Sequence, residues 1–163
     1  MAHETSTTRS GATRAQEMID ANAEFVAFIA TCTDEEWDRV CAAESWPVGV
    51  VAHHIAWGHE VSVGWIRTIR SGKDVPGSTE THNAGNAAKA AEMAGVSRDE
   101  VIRIAHRNLN ELTALLRSLT DEDLSQSATF GPGGGMKMSL DQLAGARGHL
   151  DRHLGSIRAA VGR

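Results

Sequence analysis

Apolar residues along this chain recur every three or four positions rather than every second one, so the expected elements are helices. Met18, Asn22, Phe25, Ile29 and Cys32 fall on one stripe of a first helix, expected from about Thr13 to Thr31. Thr33-Asp34-Glu35-Glu36 is a capping box, in which the Thr hydroxyl and Glu carboxylate satisfy free backbone N–H groups; a short helix containing Trp37 and Val40 should follow. Ser45-Trp46-Pro47 then opens a second long helix, since proline is tolerated in the first turn, and Ser71-Gly72 ends it. From Lys73 to Gly95 the signals weaken to a Pro76-Gly77 turn and a segment, Asn83 to Met93, compatible with a short Ala-rich helix. Ser97-Arg98-Asp99-Glu100 launches a third long helix with Val101, Ile104, Ala105, Leu109, Leu112, Leu116 and Leu119 on its apolar face. Thr120 caps a short segment, Phe130-Gly131-Pro132-Gly133-Gly134-Gly135 reads as a mobile connection, and Ser139-Leu140-Asp141-Gln142 starts a last helix running to the C-terminus. No alternating or β-branched run signals a sheet. The pattern predicts an all-α four-helix bundle with short connecting helices, one domain over residues 13–163 behind a flexible tail over residues 1–12.

Composition narrows the function. A chain of 163 residues buries a proper core without disulfides or a structural metal. Sixteen Lys+Arg against 21 Asp+Glu leave a net charge of −5, and the basic residues are dispersed, so no nucleic-acid partner is expected. No segment approaches the roughly 20 apolar residues of a membrane span. The polar, Thr/Ser-rich start lacks the apolar centre of a secretory signal, so the expected location is cytoplasmic. Cys32 and Cys41 lie nine apart with no metal-ligand spacing and read as small core residues. The absence of tyrosine excludes any mechanism with a Tyr proton donor.

Eight histidines are a high count, and their direction matters. On the second helix, His54 shares the 3.6-residue stripe of Val51, Ile55, Gly58, Ser62, Trp65, Ile66 and Ile69. His53 is rotated by about 100° onto the less apolar face of Gly49, Trp57, Glu60 and Gly64, so His54 is the inward member of the pair. On the last helix, Leu143, Ala146, His149, Leu150, His153, Ile157 and Ala160 form the inward stripe, with Arg147, Asp151, Arg152 and Arg158 outward. His149 and His153 stand at i and i+4, where two imidazoles reach one ion. Three buried imidazoles without partners would cost about 1–3 kcal/mol each, a penalty that a divalent metal removes. His3, His59 and His106 read as surface residues.

These segments resemble the DinB-like proteins. Trp46-Pro47-Val48-Gly49-Val50-Val51-Ala52-His53-His54-Ile55 is similar to the start of their second helix, and Gly148-His149-Leu150-Asp151-Arg152-His153 to their closing HxxxH helix. Leu119-Thr120-Asp121-Glu122-Asp123-Leu124 resembles the junction before their last connection. The resemblance implies a four-helix bundle with a metal held by His54, His149 and His153. His53 duplicates the expected ligand and Pro47 stands where Ser or Thr is common, so a one-residue shift of register would put His53 in that place. The family includes thiol-dependent S-transferases and the metal-binding domain of mycothiol-dependent maleylpyruvate isomerase.

Three His ligands leave coordination positions open, as catalytic rather than closed structural sites do. The expected cofactor is one divalent transition metal, Zn or Ni first, with Fe, Mn and Co also compatible. The expected partners are a low-molecular-weight thiol such as mycothiol or bacillithiol and an electrophilic substrate, with a homodimer implied by the resemblance. The leading expectation is a metal-dependent thiol S-transferase or related metalloenzyme; the alternative is a non-catalytic metal-binding or stress-response bundle. His53, the His82-Asn83 pair in the irregular segment and Trp57 are candidates for supporting or substrate contacts, and Trp65 could also line a pocket mouth. The glycine-rich loop at 131–135 lacks a phosphate-binding ending and reads as a lid or plain linker.

Overall fold

A computed structural model describes residues 10–145 and 147–163. His3, Ala146 and most of the expected tail lie outside the described residues. The elements are α1 (Gly11–Ala30), α2 (Asp34–Asp38), β1 (Val40–Cys41), β2 (Trp46–Pro47), α3 (Val48–Arg70), α4 (Thr79–Glu92), α5 (Arg98–Arg117), α6 (Asp121–Ser125), β3 (Ser127–Phe130), β4 (Met136–Ser139), α7 (Leu140–Ala144) and α8 (Arg147–Val161). The four-helix bundle is formed by α1, α3, α5 and α8, with α3 against α5 and α8, and α1 against the same two. The stripes expected on α1 and α5 are buried at every position, from Met18 to Cys32 and from Val101 to Leu119.

Side-chain caps place the helix starts. Thr33, Thr120 and Ser139 each make the reciprocal capping box with Glu36, Asp123 and Gln142. Ser97 contributes only half of one, accepting from the Glu100 N–H. Ser10 caps α1, which therefore starts at Gly11, two residues before the expected Thr13.

Several elements differ from the sequence reading. Pro47 is the N-cap of α3 rather than a residue of its first turn. Trp46 and Pro47 pair with Cys41 and Val40 as a two-residue antiparallel ribbon, because a residue before proline is pushed towards extended backbone. Val40 is accordingly in β1 and exposed rather than in α2. The glycine-rich connection is the turn of a second hairpin, β3 with β4, closed by a 3-10 turn over Gly131–Gly133 and by Gly134 and Gly135 with φ of 78°. It is anchored: Val75 N–H donates to Thr129 O and Gly131 N–H donates to Val75 O, and a Cβ on Gly131 would overlap the backbone of Gly77. The short Ala-rich helix expected over Asn83 to Met93 is α4, which starts four residues earlier at Thr79 behind a reciprocal Ser78–Thr81 cap and so takes in His82. The last helix is interrupted, α7 ending at Ala144 with Gly145 as its C-cap and α8 covering Arg147–Val161.

The second helix is buried more widely than one stripe. Contacts from α2, α4, α5, α7 and α8 surround α3, so Val48 to His53 are all buried and His59 is buried with them. The surface assignment of His59 is therefore corrected. Among the described residues, no helix is long and apolar enough to cross a membrane.

Candidate metal centre

The bundle brings three histidines together between α3 and α8. His149 and His153 stand one above the other on α8, and His54 reaches them from α3. Ring centroids are 4.4 Å apart for His149 and His153, 4.9 Å for His54 and His153, and 5.2 Å for His54 and His149. One nitrogen from each ring lies within 4.8 Å of the others. Nε2 of His149 and Nε2 of His153 are 3.1 Å apart. Two nitrogens on one tetrahedral ion at about 2.1 Å would sit about 3.4 Å from each other, so the α8 pair is already near that spacing.

A carboxylate that the sequence reading missed fixes the third ring. Glu44 lies in the four-residue turn between β1 and β2, shaped by Ser45 with φ of 60° and by the Ser45 N–H donating to Cys41 O. One carboxylate oxygen of Glu44 accepts from His153 Nδ1 at 2.7 Å, and the other accepts from the Ser156 hydroxyl. With its proton on Nδ1, His153 presents the Nε2 lone pair to the other two imidazoles, the arrangement that orients ligating histidines. Burial alone would push the Glu44 carboxyl up, but the bonds from Ser156 and His153 outweigh it and hold it below its ordinary value.

The imidazoles are kept neutral. Burial, reinforced by His153 and His54 beside it, lowers His149 to about 3. Burial, then His153 and His82, lowers His54 to about 4. Burial also lowers His153, with Glu44 opposing it. Among the described residues His54 makes ring contacts, including an edge-on one with Trp46 at 5.7 Å, and no hydrogen bond. Among those residues its nitrogens are met only by the facing histidines.

The remaining sequence-predicted residues divide. His53 does not join the cluster. It is only 5% exposed, more buried than His54, and its charged neighbours are Lys89, Glu92 and Glu100, because α4 and the start of α5 cover the face that looked half-polar in sequence. His59 is lowered to about 4 by burial, and its Nε2 is 3.0 Å from Asn22 Oδ1 across to α1. His82 is on a helix, half-buried, packed on Trp65 at 5.5 Å and joined to Asn86 at 3.2 Å. A cavity of about 240 Å³ opens beside the three histidines, bordered by His54, His149 and His82 and walled by Trp57, Trp65 and Phe130. Trp57 and Trp65 thus face open space. Asn83 is exposed at a wider mouth on the other side of the same histidines.

The profile of the DinB superfamily matches residues 18–157. The chain belongs to the DinB superfamily. Its three histidines sit where the opening of α3 and the HxxxH of α8 meet, the two segments that carried the resemblance. A similar fold is found in the solved structure of YfiT from Bacillus subtilis, described as a probable metal-dependent hydrolase with an unusual four-helix bundle topology. The two are similar with a TM-score of 0.77 at 17% identity, over 98% of this chain and 90% of that one. No curated protein sequence matches this DinB member.

Proposed function

We propose that this protein is a divalent-metal-dependent enzyme that joins a low-molecular-weight thiol, such as mycothiol, to a small electrophile. The observation that carries the reading is an open three-histidine set at the edge of an aromatic cavity. The donor set fits a transition metal: three neutral imidazoles, one of them without any hydrogen bond, and one oriented by a carboxylate. A divalent ion held there supplies Lewis acidity, drawing the pKa of a bound thiol or water towards neutrality.

The chain's own groups have separable tasks. His54, His149 and His153 would hold the ion, and Glu44 with Ser156 sets the tautomer and angle of His153. Trp57, Trp65 and Phe130 receive the apolar part of the electrophile and exclude water from it. The Asn86 amide donates to His82 Nε2, so His82 carries its ring proton on Nδ1 as a hydrogen-bond donor.

A second reading, hydrolysis with water in place of the thiol, is favoured by the likeness to YfiT. The discriminating experiment uses cobalt-substituted protein. Mycothiol or N-acetylcysteine should produce a sulfur-to-cobalt charge-transfer band, and metal-loaded protein should displace chloride from chlorodinitrobenzene as the S–C bond forms. A spectrum indifferent to thiol, with turnover of a nitrophenyl ester, would replace transfer by hydrolysis. Metal binding with neither response would leave a non-catalytic metal-binding bundle.

A further inference from the structure

The space beside the three histidines has two unlike halves. One is the aromatic chamber of about 240 Å³. The other is the wider mouth at which Glu44, Asn83 and Arg152 stand. His54, His82, Asn86 and His149 border both, so a single molecule can occupy the two halves while passing the histidines. A dry cavity of about 150 Å³ accommodates benzene, so the chamber takes a substituted ring or a bicyclic group.

The mouth has an unanswered positive charge. Nine other arginines among the described residues each pair with a carboxylate. Among the described residues Arg152, like Arg107 and Arg117, has no such partner, and of these three it is the one that lines the mouth. Its Nη2 lies 3.3 Å from His153 Nε2, the nitrogen whose lone pair faces the site. Glu44, the one carboxylate lining the mouth, turns its two oxygens to His153 Nδ1 and Ser156. Once His153 Nε2 is engaged as a ligand, Arg152 keeps its forked donors and loses its acceptor. A planar anion suits that fork better than any neutral group.

Resting on the metal-dependent reading above, we infer that the substrate is an amphiphilic acid, its aryl or similarly bulky body in the Trp57–Trp65–Phe130 chamber and its carboxylate on Arg152. The acid end fixes which atom of the substrate lies at the histidines. Arg152 is a specificity-determining residue and not a metal ligand.

Binding of 2-naphthoate and of the neutral 2-naphthamide to zinc-loaded protein, read by calorimetry and by tryptophan fluorescence, tests the assignment. The acid should bind at least tenfold more tightly than the amide. Arg152→Gln should reduce that preference below threefold with amide affinity unchanged, and Val61→Phe, which narrows the chamber, should weaken both ligands alike. Equal binding of acid and amide to the wild type overturns the proposal. So does an acid preference that survives Arg152→Gln, because the carboxylate is then held elsewhere, or indifference to Val61→Phe. Metal content measured on the same samples separates the two readings. Acid preference lost on Arg152→Gln in protein that takes up no metal keeps the subsite and removes the metalloenzyme, whereas metal uptake without acid preference does the reverse.

Discussion

Glu44→Gln isolates the contribution of a residue that never touches the metal. The Glu44 carboxylate and the His153 ring are each only 9% exposed, so the 2.7 Å bond between them is little screened by solvent. A hydrogen bond to a charged group contributes about 1.5–3 kcal/mol, and loss of the partner that orients a ligating histidine weakens metal binding about 10–100-fold. These agree, since tenfold in affinity is about 1.4 kcal/mol. Glutamine keeps the shape and an oxygen able to accept from His153 Nδ1, so its effect reports the charge. Glu44→Ala removes the acceptor as well and should lie at the weaker end of the range. Ser156→Ala, which removes only the hydroxyl holding the other oxygen, should cost less than either. The assay is competition of each variant against a chromophoric zinc chelator near neutral pH, with thermal melts of the metal-free proteins alongside. The expected order of zinc dissociation constants is Glu44→Ala, then Glu44→Gln, then Ser156→Ala, then wild type, with metal-free stability of Glu44→Gln close to wild type. Zinc affinity of both Glu44 variants within threefold of wild type would refute the reasoning that Glu44 positions His153.

Two further predictions concern the frame around the centre. His59 is held near 4 when folded against an ordinary value of 6.5, so the unfolded chain binds the extra proton between those values and stability falls as pH drops. Its contribution is complete above about pH 6.5, and ~2 kcal/mol is lost by pH 5; urea melts of metal-free wild type and His59→Leu should show a shallower pH dependence in the variant, and identical slopes would count against the assignment. Gly49→Ala would drive a Cβ into the indole of Trp37, whose Nε1 donates to Val96 O at 2.9 Å. That overpacking should cost about 1–3 kcal/mol, lowering Tm by roughly 3–10 °C, and an unchanged melt would show that the indole moves freely.

Periodicity revealed what depends on a single helix and missed what depends on neighbours. The stripes of α1 and α5 and the His149–His153 spacing are properties of one helical turn, and each was legible before the fold was known. The direction of His54 was legible too, since Gly58, Ser62 and Ile66 continue its face. His59 reads as a surface residue and the depth of His53 does not show in sequence, because burial of α3 on several sides comes from α4, α5 and α8, none of which marks the α3 sequence itself. Glu44 was invisible for a related reason. It is 109 residues from His153, and it is aimed by a two-residue ribbon and one left-handed serine rather than by any repeating pattern. The hairpin at Phe130 hid behind a glycine run whose positive φ values shape a turn instead of a loose connection. Bundle architecture and the three central histidines therefore follow from local spacing, whereas the carboxylate that orients the centre and the aromatic chamber beside it arise only from tertiary packing.

Binding of one metal ion at His54, His149 and His153 is tested most directly by the metal content of untagged wild type and His153→Ala prepared side by side. After chelator washing and reloading, the wild type should retain about one transition metal per chain and the variant far less, with both proteins showing the same helical content. Equal metal in the two, or none in either, would contradict the assignment of these histidines as a metal centre.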